Sequence, residues 1–195
     1  MSSEEEDKYF KQRDMEKIAE ARREQQLEAI RQQEREGVQD VLQSSDEVAA
    51  EALALGFDSE TARVLPLVPL IQMAWADGSV TTAENEKVLE LAYRFGIERE
   101  GPAHNFLTLL LGEQPSDVFF ERVDRVIAHL VEEQPNYWQD KSVVDLAREV
   151  AEASGGFFKL TSPINGDEKK LLDRFAELFS VQERSAGDVI QGEEG

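Results

Sequence analysis

The stretch Pro66-Leu67-Val68-Pro69-Leu70-Ile71-Gln72-Met73-Ala74-Trp75-Ala76-Asp77-Gly78-Ser79-Val80-Thr81-Thr82-Ala83-Glu84 decides the fold. Its first eleven residues contain one polar side chain, Gln72. A helix here is apolar on every side and belongs at the centre of a bundle. At about 11 residues it is too short to cross a membrane, which takes roughly 20. Pro66 and Pro69 both fit in a first turn, whose backbone N–H groups have no partner inside the helix. Gly78 ends the helix, and Thr81-x-x-Glu84 is a capping box that opens the next one. The expectation is a helical hairpin with a charged elbow, and Trp75, four residues after Ile71, buried between hairpins.

Downstream, Val88, Leu91, Ala92 and Phe95 recur with helical spacing up to Gly96. Gly101-Pro102 breaks the chain before a helix carrying Phe106, Leu107, Leu109, Leu110 and Leu111. Phe119, Val123, Val126, Ile127 and Leu130 mark the cleanest amphipathic helix. Gln134-Pro135-Asn136 separates it from a helix with Val143, Leu146, Ala147, Val150 and Ala151. After Gly155-Gly156 a last helix uses Leu171, Leu172, Phe175, Leu178 and Phe179, and the tail from Arg184 is expected to be disordered. No segment alternates as a strand does.

Upstream, residues 4–36 are polar almost throughout, with Tyr9, Phe10, Met15, Ile18, Leu27 and Ile30 as the only large apolar residues. Straight-chain residues dominate, and acid-first pairs such as Glu4–Lys8 and Asp7–Lys11 support a helix. The apolar spacing keeps no heptad register, so the segment reads as a partly frayed, solvent-exposed arm rather than a long coiled coil. Residues 37–57 read as a short helical lead-in, with Ser45 and Asp46 as N-cap candidates and Gly56 as a stop. The organisation expected is an arm over 1–36, a lead-in over 37–57, an all-α helical bundle over 58–182 and a tail over 183–195.

Net charge is -20, from 41 acids and 21 bases. Residues 1–36 hold 11 acids and 8 bases, a net of -3, so the remaining 159 residues carry -17. A surface that acidic repels nucleic-acid phosphates and anionic lipid, and attracts cations or basic protein patches. There are no cysteines, which excludes disulfides, thiolate metal sites and cysteine nucleophiles. The acidic start is unlike a secretory signal and no apolar run is long enough for an anchor, so cytoplasmic localisation without membrane insertion is the expectation. His104 and His129 lack a partner nearby in sequence, and no glycine-rich phosphate loop follows a strand, so the chain reads as a non-enzyme.

A weak internal repeat runs through the bundle. Ala74-Trp75-Ala76-Asp77-Gly78 matches Ala151-Glu152-Ala153-Ser154-Gly155, 77 positions on, while Glu84, Leu91, Ala92 and Phe95 match Glu168, Phe175, Ala176 and Phe179, 84 positions on. The offset places seven inserted residues in the second elbow, among Phe157 to Pro163, and Asn165-x-x-Glu168 repeats the capping logic of Thr81-x-x-Glu84. Two hairpins about a pseudo-twofold axis would account for this repeat; chance similarity between amphipathic helices is the alternative.

At these residues, Met73-Ala74-Trp75-Ala76-Asp77-Gly78-Ser79-Val80 with Glu84, then Ala153-Ser154-Gly155-Gly156-Phe157 with Glu168 and Leu172, the chain resembles the tellurite-resistance TerB-like domain family over roughly residues 60–180. The resemblance implies an all-helical bundle with a duplicated hairpin, acidic residues that bind a divalent metal, and a stress-linked role at the cytoplasmic side of the membrane. Carried over, Asp77 and Glu84 match the acidic motif. The second elbow departs from it, with Ser154 where an aspartate would complete the pair.

The residues themselves leave two readings of the elbow. An acid at a helix C-terminus costs roughly 0.3–1 kcal/mol, which a bound Ca²⁺ or Mg²⁺ with oxygen ligands from Asp77, Glu84, Ser79 or Thr81 would relieve. Otherwise Asp77 makes an Asx-type turn and Glu84 closes the capping box. Two functions follow, neither with an organic cofactor. One is a stress-response or regulatory domain holding a divalent cation at Asp77 and Glu84. The other is a metal-free protein-interaction adaptor, whose protein partner meets residues 4–36 and an acidic bundle surface such as Asp145, Glu149 and Glu152.

Overall fold

The all-helical expectation holds. In a computed structural model, residues 3–134, 143–154 and 166–190 are described, with side chains over 9–134, 143–153 and 166–178. Among the described residues there are eight α-helices, one 3-10 segment and no strand. They are α1 (Ser3–Leu42), α2 (Asp46–Ala54), the 3-10 segment (Ala62–Leu67), α3 (Val68–Ala74), α4 (Thr82–Arg94), α5 (Pro102–Gly112), α6 (Asp117–Glu133), α7 (Val143–Ser154) and α8 (Gly166–Ile190). The second elbow, with Asn165 and the seven-residue insertion, lies outside the described residues, as do Pro135, Asn136 and 191–195.

Two prolines shape the central helix differently from the expectation. Pro66 lies inside the 3-10 segment, and Pro69 stands in the first turn of α3, which is only 7 residues long. Neither proline can donate to the carbonyl one turn back, so the α-helical ladder starts only at Val68. What remains is as apolar as its sequence: Val68, Leu70, Ile71, Met73 and Ala74 are each at most 1% exposed. Helices α4 to α8 all pack against α3. Trp75 corrects the burial expectation. It caps the helix at the bundle's edge, half-buried, and its Nε1 donates to the Leu110 carbonyl at 2.9 Å.

The arm and the start of the lead-in are one helix. Gly37 does not break α1, whose 40 residues end with Gln43 in the left-handed region at φ 53°. A glycine inside a helix costs about 1 kcal/mol against alanine, and here it is needed for contact. A Cβ at Gly37 would lie 2.6 Å from the Ser59 Cβ. One turn earlier, Glu34 Oε2 accepts from the Ser59 hydroxyl at 3.0 Å and its backbone N–H at 3.3 Å. Val38 is fully buried and Leu42 nearly so. The terminal carbonyls of Leu42 and Gln43 accept from Gln134 Nε2 at 2.8 and 2.5 Å, which satisfies acceptors a helix end leaves open.

The other end differs too: α8 continues to Ile190 instead of stopping near 182. Val181-Gln182-Glu183-Arg184 contains no breaker, and one glycine at 187 is a tolerable interruption. The proposed duplication is matched by burial at Glu84 and Glu168 (2% and 4% exposed) and at Leu91 and Phe175 (both 0%). It fails at the next pair, since Ala92 is buried and Ala176 exposed.

Helix α6 buries Phe120, Val123, Val126, Ile127, Leu130 and Val131 together with Asp124. Phe119 is only partly buried and stacks on Phe57 with ring centroids 6.2 Å apart. Asp124, 6% exposed, is paired with Arg174 of α8. Burial pushes its carboxyl above the ordinary value of 3.8, the Arg174 guanidinium pulls it back, and Glu121 adds to the rise. The folded state therefore holds this proton more tightly than the unfolded chain, so the contribution to stability falls as pH rises above the unfolded value.

Two outcomes test this packing. Gly37→Ala should lower stability by about 1–2 kcal/mol in denaturant titration, despite the better helix propensity, because the added methyl overlaps Ser59. Adding Ser59→Gly to that variant should restore most of the loss. Wild type should also lose stability relative to Asp124→Asn as pH rises from about 4 to about 7. A relative gain would mean that the Arg174 pair outweighs burial.

Candidate functional site

Helix α3 ends at Trp75, and the chain reverses through Gly78, whose φ of +86° disfavours any side chain. Asp77 Oδ1 accepts from the Ser79 backbone N–H at 3.1 Å and its hydroxyl at 3.3 Å, an Asx-type turn. Two residues after Ser79 comes the capping box. Thr81 Oγ1 accepts from the Glu84 N–H at 3.3 Å, while Glu84 Oε2 accepts from the Thr81 N–H and hydroxyl, both at 2.7 Å. The first turn of α4 also places the Glu84 charge at the positive end of a helix.

The two carboxylates of the sequence motif thus serve two separate local rings. Asp77 is exposed, whereas Glu84 is 2% exposed. A cation would reach the Glu84 carboxylate only by opening the capping box. Among the described residues, no three acidic, histidine or cysteine side chains gather into a cation-holding group. Ca²⁺ takes about 6–8 oxygen ligands, so the donors in place at this elbow do not make a ready site. Glu168, the repeat partner of Glu84, is likewise buried in the first turn of its helix, α8.

The acidic face of α7 is partly engaged. Glu149 lies 4.0 Å from Lys87 and 3.9 Å from Arg94, tying α7 to α4, and Asp145 pairs with Arg148 at 3.1 Å. The histidines stand in two unrelated surface pairs. His104 Nδ1 lies 3.3 Å from the Tyr93 hydroxyl, with Arg99 stacked over the Tyr93 ring at 4.6 Å. His129 Nδ1 lies 3.4 Å from Glu51.

The arm is the larger exposed feature. From residue 9 to residue 33 every side chain of α1 is exposed, including Tyr9 (60%), Phe10 (58%), Met15 (71%) and Ile18 (54%). Ile30 and Leu27 continue, about two and three turns outward, the face that seats Gly37, Val38 and Val41 on the bundle, and they too are exposed. At 1.5 Å per residue, the helix runs about 45 Å from Glu34 to Glu4.

Some of what matters here was absent from the sequence-based expectation. The Asp124–Arg174 pair joins α6 to α8, and its signal was an acid one residue after Val123 on the apolar face. The close approach at Gly37 had no signal beyond the glycine itself.

No protein-family model, curated protein or solved structure matches the chain.

The hydrogen bonds at the elbow predict its response to substitution. Thr81→Ala should cost about 1 kcal/mol, equally with chelator and with millimolar Ca²⁺ or Mg²⁺, in melting curves. A divalent-dependent rise in the wild-type midpoint that Asp77→Asn abolishes would assign the elbow to a cation instead.

Proposed function

We propose that the chain is a non-catalytic protein-interaction adaptor, in which the α3-centred bundle is the scaffold and the exposed part of α1 is the contact element. One observation carries this reading: 25 consecutive helical positions, residues 9–33, stand clear of the bundle. A solvated helix of that length gains nothing from tertiary packing, which supplies most helical stability in proteins. A partner surface would cover the large apolar side chains Tyr9, Phe10, Met15 and Ile18, which the arm leaves in solvent.

Charge supports the same division of labour. Residues 9–33 hold six bases and five acids, in a protein of net charge -20. The exposed middle of the arm is therefore close to neutral, while its tip, Glu4-Glu5-Glu6-Asp7, is acidic. The TerB-like reading of the elbow stays secondary, because Asp77 and Glu84 already serve the turn and the cap.

The test is site-specific photo-crosslinking in the full chain, from Tyr9, Phe10 and Ile18 on the arm and from Glu86 on the bundle surface. Discrete protein adducts are expected from the arm positions and should be lost with Ile18→Glu or Phe10→Glu. No adduct from any arm position above the Glu86 background would end the adaptor reading.

A further inference from the structure

Basic side chains are scarce on this bundle and most are engaged. Arg35 meets Asp46 at 3.3 Å, Lys87 meets Glu90 at 2.9 Å, Arg148 meets Asp145 at 3.1 Å, Lys170 meets Asp167 at 2.9 Å, and Arg174 meets Asp124. Arg122 and Arg125 differ, as do Arg63 and Lys169 elsewhere on the bundle. Arg122 and Arg125 are both exposed, they stand one turn apart on α6, and neither has a carboxylate within ion-pair distance among the described residues.

With His129 one turn further on, these arginines rim an open groove of about 310 Å³ between α6 and α2. Its floor is Ala54, Leu55 and Val126, and its single lining carboxylate, Glu51, is the one already beside His129. Val118, 62% exposed, lies on the same face of α6, one turn before Arg122. The groove therefore offers two unpaired guanidiniums beside an apolar strip. At physiological ionic strength charges are screened beyond about 8 Å, so the two guanidiniums, set against the nearby Glu51 and Glu121, weigh more in the groove than the distant acids of the chain.

We propose that this groove receives the N-terminal end of α1 from a second copy of the chain. That end carries Glu4-Glu5-Glu6-Asp7, the longest acidic run in the sequence, followed by Tyr9 and Phe10, both exposed. Carboxylates match guanidinium forks in charge and geometry, and the two aromatics match the apolar strip. The contact is between copies because α1 is one unbroken helix. It holds that end about 45 Å from where α1 leaves its own bundle. Reciprocal docking closes a twofold dimer, and one-way docking builds a chain of copies.

This inference rests on the adaptor reading and names the partner. The probe is a fluorescein-labelled peptide of residues 1–10, titrated with the full chain by anisotropy. Saturable binding is expected, weakened at least about tenfold by Arg122→Glu with Arg125→Glu. A peptide with Glu4, Glu5, Glu6 and Asp7 all changed to Lys should reverse the preference and bind that variant better than wild type. Both arginines are exposed and unpaired, so circular dichroism should show the variant folded, and Arg122→Gln with Arg125→Gln repeats the test without charge reversal. Sedimentation velocity of the full chain should show concentration-dependent association that both arginine variants lose. No peptide binding, equal binding to the variants, or equal binding of a peptide with Tyr9 and Phe10 both changed to Ser would each overturn the proposal. Arm crosslinks only to a different protein would overturn it while leaving the adaptor reading intact; no arm crosslinks would remove both.

Discussion

Helix α3 buries every side chain but Gln72, and the rest of the bundle follows from that constraint. With seven residues it offers about 10 Å of axis. Helices α4 to α8 converge on that short length, each contributing an apolar stripe. The arrangement leaves little tolerance at the edge of α3, where Trp75 is held through its ring N–H by the Leu110 carbonyl. Below it, the chain enters through a 3-10 segment because two prolines cannot join an α-helical ladder. Burial and backbone chemistry act on the same few residues.

That division explains which parts were legible in the sequence. Local signals were read well: the Ser45 and Thr81 caps, the turn at Gly78, and the spacing of Val143, Ala147, Val150 and Ala151 all reappear as drawn. What escaped was set by partners distant in sequence. Gly37 looked like a boundary because its reason, Ser59, lies in another element. Phe120 rather than Phe119 is buried, while Phe119 packs from the margin on the ring of Phe57, which lies in another element. Asp124 sits on an apolar face because Arg174, fifty residues on, reaches it.

The elbow shows a different limit. Thr-x-x-Glu is the spacing of a capping box, and an acid on each side of a glycine turn is also what a cation site needs. Both chemistries use the same residue types at the same intervals. Burial bears on the choice: Glu84 at 2% exposure places its Oε2 on the Thr81 backbone and hydroxyl, where it caps α4. No pattern of letters carries that information, because a side chain's accessibility is a property of what packs over it.

The seating of α1 has a mechanical consequence. The helix is gripped over residues 34–42, about 12 Å, while about 45 Å extends beyond the grip. A sideways load at the far end is therefore levered roughly fourfold at the root. The fulcrum is the methyl-free contact of Gly37 with Ser59. Ser59 belongs to the turn that feeds the 3-10 segment and then α3, so torque on the arm is delivered to the strand of chain leading straight into the core.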